Sequence, residues 1–259
     1  MSAISLIEPI SGKPGRVVLP DAEYWMQGRT LYGGASALIA YTQAIRAFAG
    51  LPPLRAAQIG FVAPVGDTFE LSAQIVRQGR NVTQVRSEIH WEGQLALTAF
   101  WLFAEPRPAN AVHQAEPIAD FPPAAEECET VGADKGPSFI TRNFELRRAQ
   151  QRSGPGAPVV RRWARLTGGD GLDPVSTLVL MGDVLPPGAM RAMKRQGPIS
   201  SINWSFNLLD TAPATLGGWW LSENSSQHAD DGYSSERLRL WNSSGKQVME
   251  GMQLVAIFG

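Results

Sequence analysis

The chain has 259 residues, 44% of them hydrophobic and 18% charged, and its 23 basic and 24 acidic residues leave a formal net charge of −1. That balance excludes the basic footprint of a nucleic-acid binder and a polybasic membrane patch. A single cysteine, Cys128, excludes an intramolecular disulfide and a cysteine-ligated zinc site, and the scattered His90, His113 and His228 have no metal-ligand spacing. No metal or cofactor is therefore expected. Residues Met1 to Arg16 have no basic start followed by an apolar run, and no stretch approaches the roughly 20 apolar residues of a membrane span. A cytoplasmic protein that neither spans nor binds a membrane is the expectation.

Short extended pieces come first. Gly33-Gly34 then opens a small-residue helix in which Leu38, Tyr41, Ile45 and Phe48 recur at helical spacing. Alanines fill much of the rest, and no acid occurs from Gly33 to Gly50. Such a helix is built to be surrounded. Four strand candidates follow: Leu54 to Val62, Thr68 to Val76, Asn81 to Trp91 and Leu95 to Phe103. In the third, Gln84, Arg86, Glu88 and His90 alternate with Val85, Ser87 and Ile89, the pattern of a half-buried antiparallel strand.

From Glu105 to Gly136 the chain is rich in proline and acid. Proline removes backbone donors and the acids resist burial, so this stretch reads as a surface connection. It suggests an N-terminal module at 1–110, an acidic Pro-rich linker at 111–135 and a C-terminal module at 136–259.

The second module repeats the plan. Phe139 to Arg147 and Val159 to Leu166 read as arginine-rich strands, with Gly168-Gly169-Asp170-Gly171 as a turn. Asp173-Pro174 opens a helix expected to run to Leu185, since aspartate suits the N-cap and proline the first helical position. Ser200 to Leu208 alternates, with Ile202, Trp204, Phe206 and Leu208 against Ser201, Asn203, Ser205 and Asn207. Gly218 to Ser222, Gly232 to Trp241 and Gln247 to Phe258 complete the set of strands. The patch Ser222 to Asp231 is hydrophilic enough to read as loop.

A long helix followed by several strands, written twice, predicts an α+β chain of two helix-in-sheet modules. The sequence resembles the acyl-CoA thioesterase II family, a double hotdog. The likeness rests on Tyr32-Gly33-Gly34, Phe61 to Pro64, Val76 to Arg80 and Phe103 to Pro106 in the first module. In the second it rests on Asp183 to Pro187, Ser201-Ile202-Asn203, the surroundings of Glu223 to Ser226, and Met252-Gln253.

The resemblance implies hydrolysis of a fatty acyl-CoA thioester by a water held between an aspartate, a serine or threonine, and a glutamine of the second module. Carried onto this chain, the glutamine falls on Gln253 and the hydroxyl on Ser225. The aspartate position falls on Asn203, a neutral amide that cannot take a proton from water. An acyl-CoA or acyl-chain binding protein with little hydrolysis is thus the alternative. Asp183, the only acid within the expected second helix, is a candidate replacement base, although a structural hydrogen bond suits its place near the helix end. Gly33 and Gly34 would bring helix N–H groups to the thioester oxygen; a tight turn against the sheet explains them equally well.

No Gly-x-Ser-x-Gly elbow is present, which argues against a serine hydrolase of the α/β type. Arg142, Arg147, Arg148, Arg152, Arg161, Arg162 and Arg165 are candidates for coenzyme A phosphates, against the plainer reading of a charged outer strand face. Trp204, Phe206, Trp219, Trp220 and Trp241 suggest exposed apolar surface and hence a homodimer or a higher even-numbered oligomer.

Overall fold

A computed structural model describes residues 2–132, 136–150, 157–169 and 171–258. Arg152 and Asp170 lie outside the described residues. In chain order the strands are β1 (Gly15–Val18), β2 (Met26–Gln27), β3 (Thr30–Leu31), β4 (Leu54–Phe61), β5 (Thr68–Gln78), β6 (Val82–Trp91) and β7 (Gln94–Ala104). They continue with β8 (Phe144–Arg148), β9 (Val159–Leu166), β10 (Ile199–Leu208), β11 (Trp220–Asp230), β12 (Tyr233–Trp241) and β13 (Gln247–Ile257). The α-helices are α1 (Gly33–Ala47), α2 (Ser138–Asn143) and α3 (Pro174–Met181).

Eleven strands form one antiparallel sheet in the order β1-β5-β6-β7-β4-β10-β13-β12-β11-β9-β8. The order β1-β5-β6-β7-β4 is repeated, mirrored, by β9-β11-β12-β13-β10. The two halves join where β4 pairs β10, with Ile59 opposite Trp204 and Ala57 opposite Phe206. Each half curls around its own helix, as the double hotdog requires.

α1 is buried along most of its length because its side chains are small and apolar. α3 packs on α1, and Gly34 makes the approach possible. A Cβ at Gly34 would stand 2.2 Å from the Leu180 carbonyl oxygen and 2.1 Å from the Tyr32 hydroxyl. Glu92-Gly93, both at positive φ, turn β6 into β7, the backbone that a two-residue hairpin favours.

Several expectations are corrected. Phe139 to Asn143 belongs to α2, and the strand there starts only at Phe144. The second helix stops at Met181 rather than Leu185. The hydrophilic patch Ser222 to Asp231 is mostly strand β11, in which Ser222, Glu223, Asn224 and Ser225 are buried.

Residues 105–117 are exposed, as a surface connection would be, but the later part of the stretch is packed. It lies on the outer face of the second half's sheet, where Ile118, Ala125 and Cys128 join Trp163, Trp219, Leu221 and Trp241 in a second apolar cluster. The Trp163 indole N–H donates to the Pro123 carbonyl at 3.0 Å, and Phe121 meets the Trp163 ring edge-on. Trp204, Phe206, Trp219, Trp220 and Trp241 are each 3% exposed or less, so the tryptophan argument for assembly fails. Exposed apolar side chains instead sit on the central strands, at Ile202, Met252 and Leu254. No helix among the described residues is long and apolar enough to cross a membrane.

Candidate active site

The site begins with a strand irregularity. β10 pairs β13 in register except between Ser201 and Asn203, where one extra residue, Ile202, is accommodated. A bulge of this kind reverses which face the following side chains take. Trp204, Phe206 and Leu208 point into the core, whereas Ile202 and Asn203 are exposed. Ser201, before the bulge, shares the inner side with Trp204 rather than the outer side with Asn203.

Asp183 reaches the same place from α3. Asp173 caps this helix, its carboxylate accepting from the Val175 and Ser176 backbone N–H groups at 3.0 Å each. The helix ends at Gly182, where a Cβ would stand 2.3 Å from the Trp204 ring. Asp183 emerges directly after it. The next residues are anchored to β11 and β12. Asn224 donates its side-chain amide to the carbonyls of Leu185 and Pro186 at 2.9 and 3.2 Å. Buried Glu236 accepts from the N–H groups of Gly188 and Ala189 at 2.8 and 3.2 Å.

Three side chains meet here. Gln253 on β13 donates through Nε2 to Asp183 Oδ1 at 2.8 Å and to Ser201 Oγ at 2.8 Å. Both amide hydrogens are thereby used, and the Ser201 hydroxyl keeps its own hydrogen to donate elsewhere. Asp183 has only partial solvent contact. Burial pushes its carboxyl up from the ordinary carboxylate range to about 7, against the Gln253 hydrogen bond, which lowers it.

The second carboxylate oxygen, Oδ2, lies at the start of α1, 2.2 Å from where a Cβ on Gly33 would be. Gly33 thus admits the carboxylate to a helix N-terminus that has no side-chain cap, where first-turn N–H groups lack partners within the helix. Neither Gly33 nor Gly34 has a positive φ. The tight-turn explanation therefore falls away, and close approach is the physical requirement at both. Tyr32, just before them, stacks on Phe139 at 4.6 Å, and its buried hydroxyl has no hydrogen-bond partner among the described residues.

Two cavities meet at this trio. One of about 600 Å³ is lined by Arg29, Gly33 and Phe61, the other, of about 340 Å³, by Phe139, Leu185 and Gln253. Gln27, Asp183, Ile199 and Ser201 line both. Among the described residues, no group of histidine, cysteine and acidic side chains is placed to hold a metal ion.

Of the sequence candidates, Gln253, Gly33 and the subsidiary candidate Asp183 come together. Asn203 and Ser225 do not join them. Asn203 is exposed and accepts through Oδ1 from the Leu254 backbone N–H at 2.9 Å, across the bulge. Ser225 lies on β11 and accepts from Gln227 Nε2 at 3.0 Å. The hydroxyl bonded to Gln253 is that of Ser201, which sequence reasoning missed. Its only sequence trace was proximity to Asn203 in the same motif.

Most of the candidate arginines have protein partners. Arg161 pairs with Glu223 at 2.6 Å, Arg148 with Glu129 at 3.1 Å, and both Arg147 and Arg165 with Glu145 at 2.5 Å. The guanidinium of Arg142 lies 5.0 Å from the centre of the Tyr24 ring.

Residues 21–104 match the family described as the acyl-CoA thioesterase N-terminal domain, and residues 120–257 match the acyl-CoA thioesterase C-terminal domain. Among solved structures, a hot dog fold protein of unknown function from Alicyclobacillus acidocaldarius has a TM-score of 0.83 at 20% identity, covering 96% of this chain and 97% of its own. The tesB protein of Mycobacterium avium subspecies paratuberculosis has a TM-score of 0.76 at 19% identity, with all of both chains covered. Acyl-CoA thioesterase II TesB2 from Mycobacterium marinum has a TM-score of 0.69 at 16% identity, covering 88% of this chain and 91% of its own. A comparison with curated proteins found no match.

Proposed function

We propose, from the premise that this chain belongs to the acyl-CoA thioesterase family, that it hydrolyses an acyl-CoA thioester with a water activated by Asp183. The observation that carries this reading is the hydrogen-bonded trio Asp183–Gln253–Ser201, whose carboxyl is lifted to about 7. A base with that affinity for protons is matched to neutral pH, where it is partly ionised and still able to take a proton.

The trio contains the aspartate, hydroxyl and glutamine that the resemblance implies, with Asp183 and Ser201 in the roles first given to Asn203 and Ser225. Water donates a hydrogen to Asp183 and accepts one from the Ser201 hydroxyl. Its oxygen attacks the thioester carbon, and Asp183 takes the proton. The carbonyl oxygen gains negative charge at the start of α1, where helix N–H groups and the helix dipole stabilise it. Collapse of the intermediate breaks the C–S bond. The proton passes from Asp183 to the departing coenzyme A thiolate, leaving a free carboxylic acid.

In this reading the apolar smaller cavity takes the acyl group and the larger one takes the pantetheine end. The alternative of a binding protein without hydrolysis rested on Asn203, which points away from the trio. Self-association through the exposed strip at Ile202, Met252 and Leu254 would form the expected homodimer, which light scattering checks.

Release of free thiol from a series of acyl-CoA esters tests the activity. The expected result is turnover that disappears in Asp183→Asn with the fold intact. Wild-type protein that releases no thiol from any chain would overturn the reading.

A further inference from the structure

The smaller cavity has a charged wall that the hydrolysis of a plain fatty acyl chain leaves without a purpose. Arg162 lines it, together with Asp183, Ser201 and Gln253. On β9 the side chains alternate between faces. Val160 and Ala164, both buried, share the inner face with Arg162, while Arg161, Trp163 and Arg165 take the outer one. Arg161 and Arg165 are neutralised there by Glu223 and Glu145.

Arg162 has no such acid among the described residues. Among the described residues its guanidinium donates through Nη1 to the Arg161 carbonyl at 2.6 Å and is bonded to no carboxylate. Arg148 and Arg191, the charged groups that bear on it, are both cations. Together with burial they lower its affinity for a proton, to a pKa of about 10. A half-buried guanidinium that lines the cavity, with several donors unused among the described residues, is placed to meet an anion there.

We infer that the acyl group cleaved here ends in a second carboxylate, which Arg162 binds while the methylenes between lie along Ile140, Leu146, Val160 and Met190. The substrate class is then the coenzyme A monothioester of a dicarboxylic acid, with the thioester at Asp183 and the free carboxylate at Arg162. The geometry suits this: one cavity of about 340 Å³ has the water-activating trio in its lining, apolar walls, and a planar guanidinium fork. This rests on the thioesterase reading for its chemistry, but the binding preference is separable from hydrolysis.

The test compares adipoyl-CoA with hexanoyl-CoA, which have equal carbon number and differ at the far end. Wild-type kcat/KM should favour adipoyl-CoA by at least tenfold. Arg162→Met should reduce that ratio at least tenfold, chiefly through KM, and Arg162→Lys should restore part of it. Melting curves confirm that both variants are folded. A wild-type preference for hexanoyl-CoA, or a ratio unmoved by Arg162→Met, overturns the inference and leaves the thioesterase reading standing.

If no thiol is released from either ester, calorimetry with the non-hydrolysable thioethers S-(5-carboxypentyl)-CoA and S-hexyl-CoA decides. Tighter binding of the carboxylated analogue, abolished in Arg162→Met, supports the inference although hydrolysis has failed. Equal affinities overturn it. So does an Arg162→Met variant that weakens free coenzyme A as much as both analogues, because Arg162 would then be meeting the coenzyme's phosphates.

Discussion

One row of side chains crosses eight of the sheet's eleven strands, and its two ends differ in character. From the second half inward it runs Ser226, Glu236, Gln253, Trp204, and from there into the first half Ile59, Ala99, Ser87, Ala73. Gln253 and Ala99 occupy corresponding places in the duplicated plan. Ala99 is surrounded by a packed core, and Ser87 beside it is spent on structure, donating to the Ala40 carbonyl and accepting from the Trp101 indole. Gln253 joins an acid and a hydroxyl instead.

The helices explain why. α1 has 15 residues and fills its half. α3 has 8, about 10 Å less at 1.5 Å per residue. The space beyond its end is where Asp183 emerges and the smaller cavity opens. The two copies of the plan thus differ in what fills them: α1 occupies the first half, and the shorter α3 leaves space in the second.

The comparison is broken most severely at Asp183. Asp183→Asn should lower kcat/KM by roughly a hundredfold or more, the general-base contribution. Its stability should move the other way. The folded-state pKa is raised from 3.8 to about 7, so the folded protein holds this proton more tightly than the unfolded chain does. The contribution of Asp183 to wild-type stability is therefore fully present below about pH 4 and is lost as pH rises through about 7. The variant escapes that loss and should melt higher than wild type at pH 8, with the gap closing toward pH 4. A variant that melts lower at pH 8 would contradict the buried-carboxyl account.

Gln253→Leu is the next largest change. It should cost at least about tenfold in turnover, ~1.4 kcal/mol of transition-state stabilisation. It also removes the hydrogen bond that lowers the Asp183 pKa, so the rise of activity with pH should move to higher pH. Turnover and pH dependence both left as in wild type would detach Gln253 from the chemistry.

Ala99→Gln probes the place in the first half that corresponds to Gln253. Overfilling that core should destabilise by about 1–3 kcal/mol, read from denaturant unfolding, with kcat of the folded fraction unchanged. A fall in kcat larger than the loss of folded protein would mean that the place of Ala99 also bears on the chemistry.

The smallest effects are expected at Asn203→Asp and Ser225→Ala, with kcat/KM within about twofold of wild type, because neither side chain contacts the trio and changes away from such features are near neutral. A marked gain in Asn203→Asp would return that position to the site.

How far the sequence discloses these features depends on range. The repeated plan and most of the long strands are legible, because alternation and glycine turns are local signals, whereas β11 reads largely as loop. Gln253 is legible as a lone amide on an apolar face. Ser201 is not, because a single inserted residue at Ile202 decides which way it points, and simple alternation places it with Asn203. The end of α3 is hidden as well, since Val184 and Leu185 continue the apolar run past Gly182, and only the packing of Trp204 against that glycine marks the stop. The tryptophans mislead for a related reason. What covers Trp163, Trp219 and Trp241 is the distant, acidic stretch around Ile118 to Cys128, whose composition suggests solvent rather than a lid over apolar side chains.

The pH profile of kcat/KM for wild-type protein tests most directly the claim that a buried Asp183 activates the water. Activity should rise by one factor of ten per pH unit on the acid side, bend at an apparent pKa near 7 and level off above it. A profile that stays flat from pH 5 to 9, or that bends near 4 as an ordinary carboxylate would, contradicts the account.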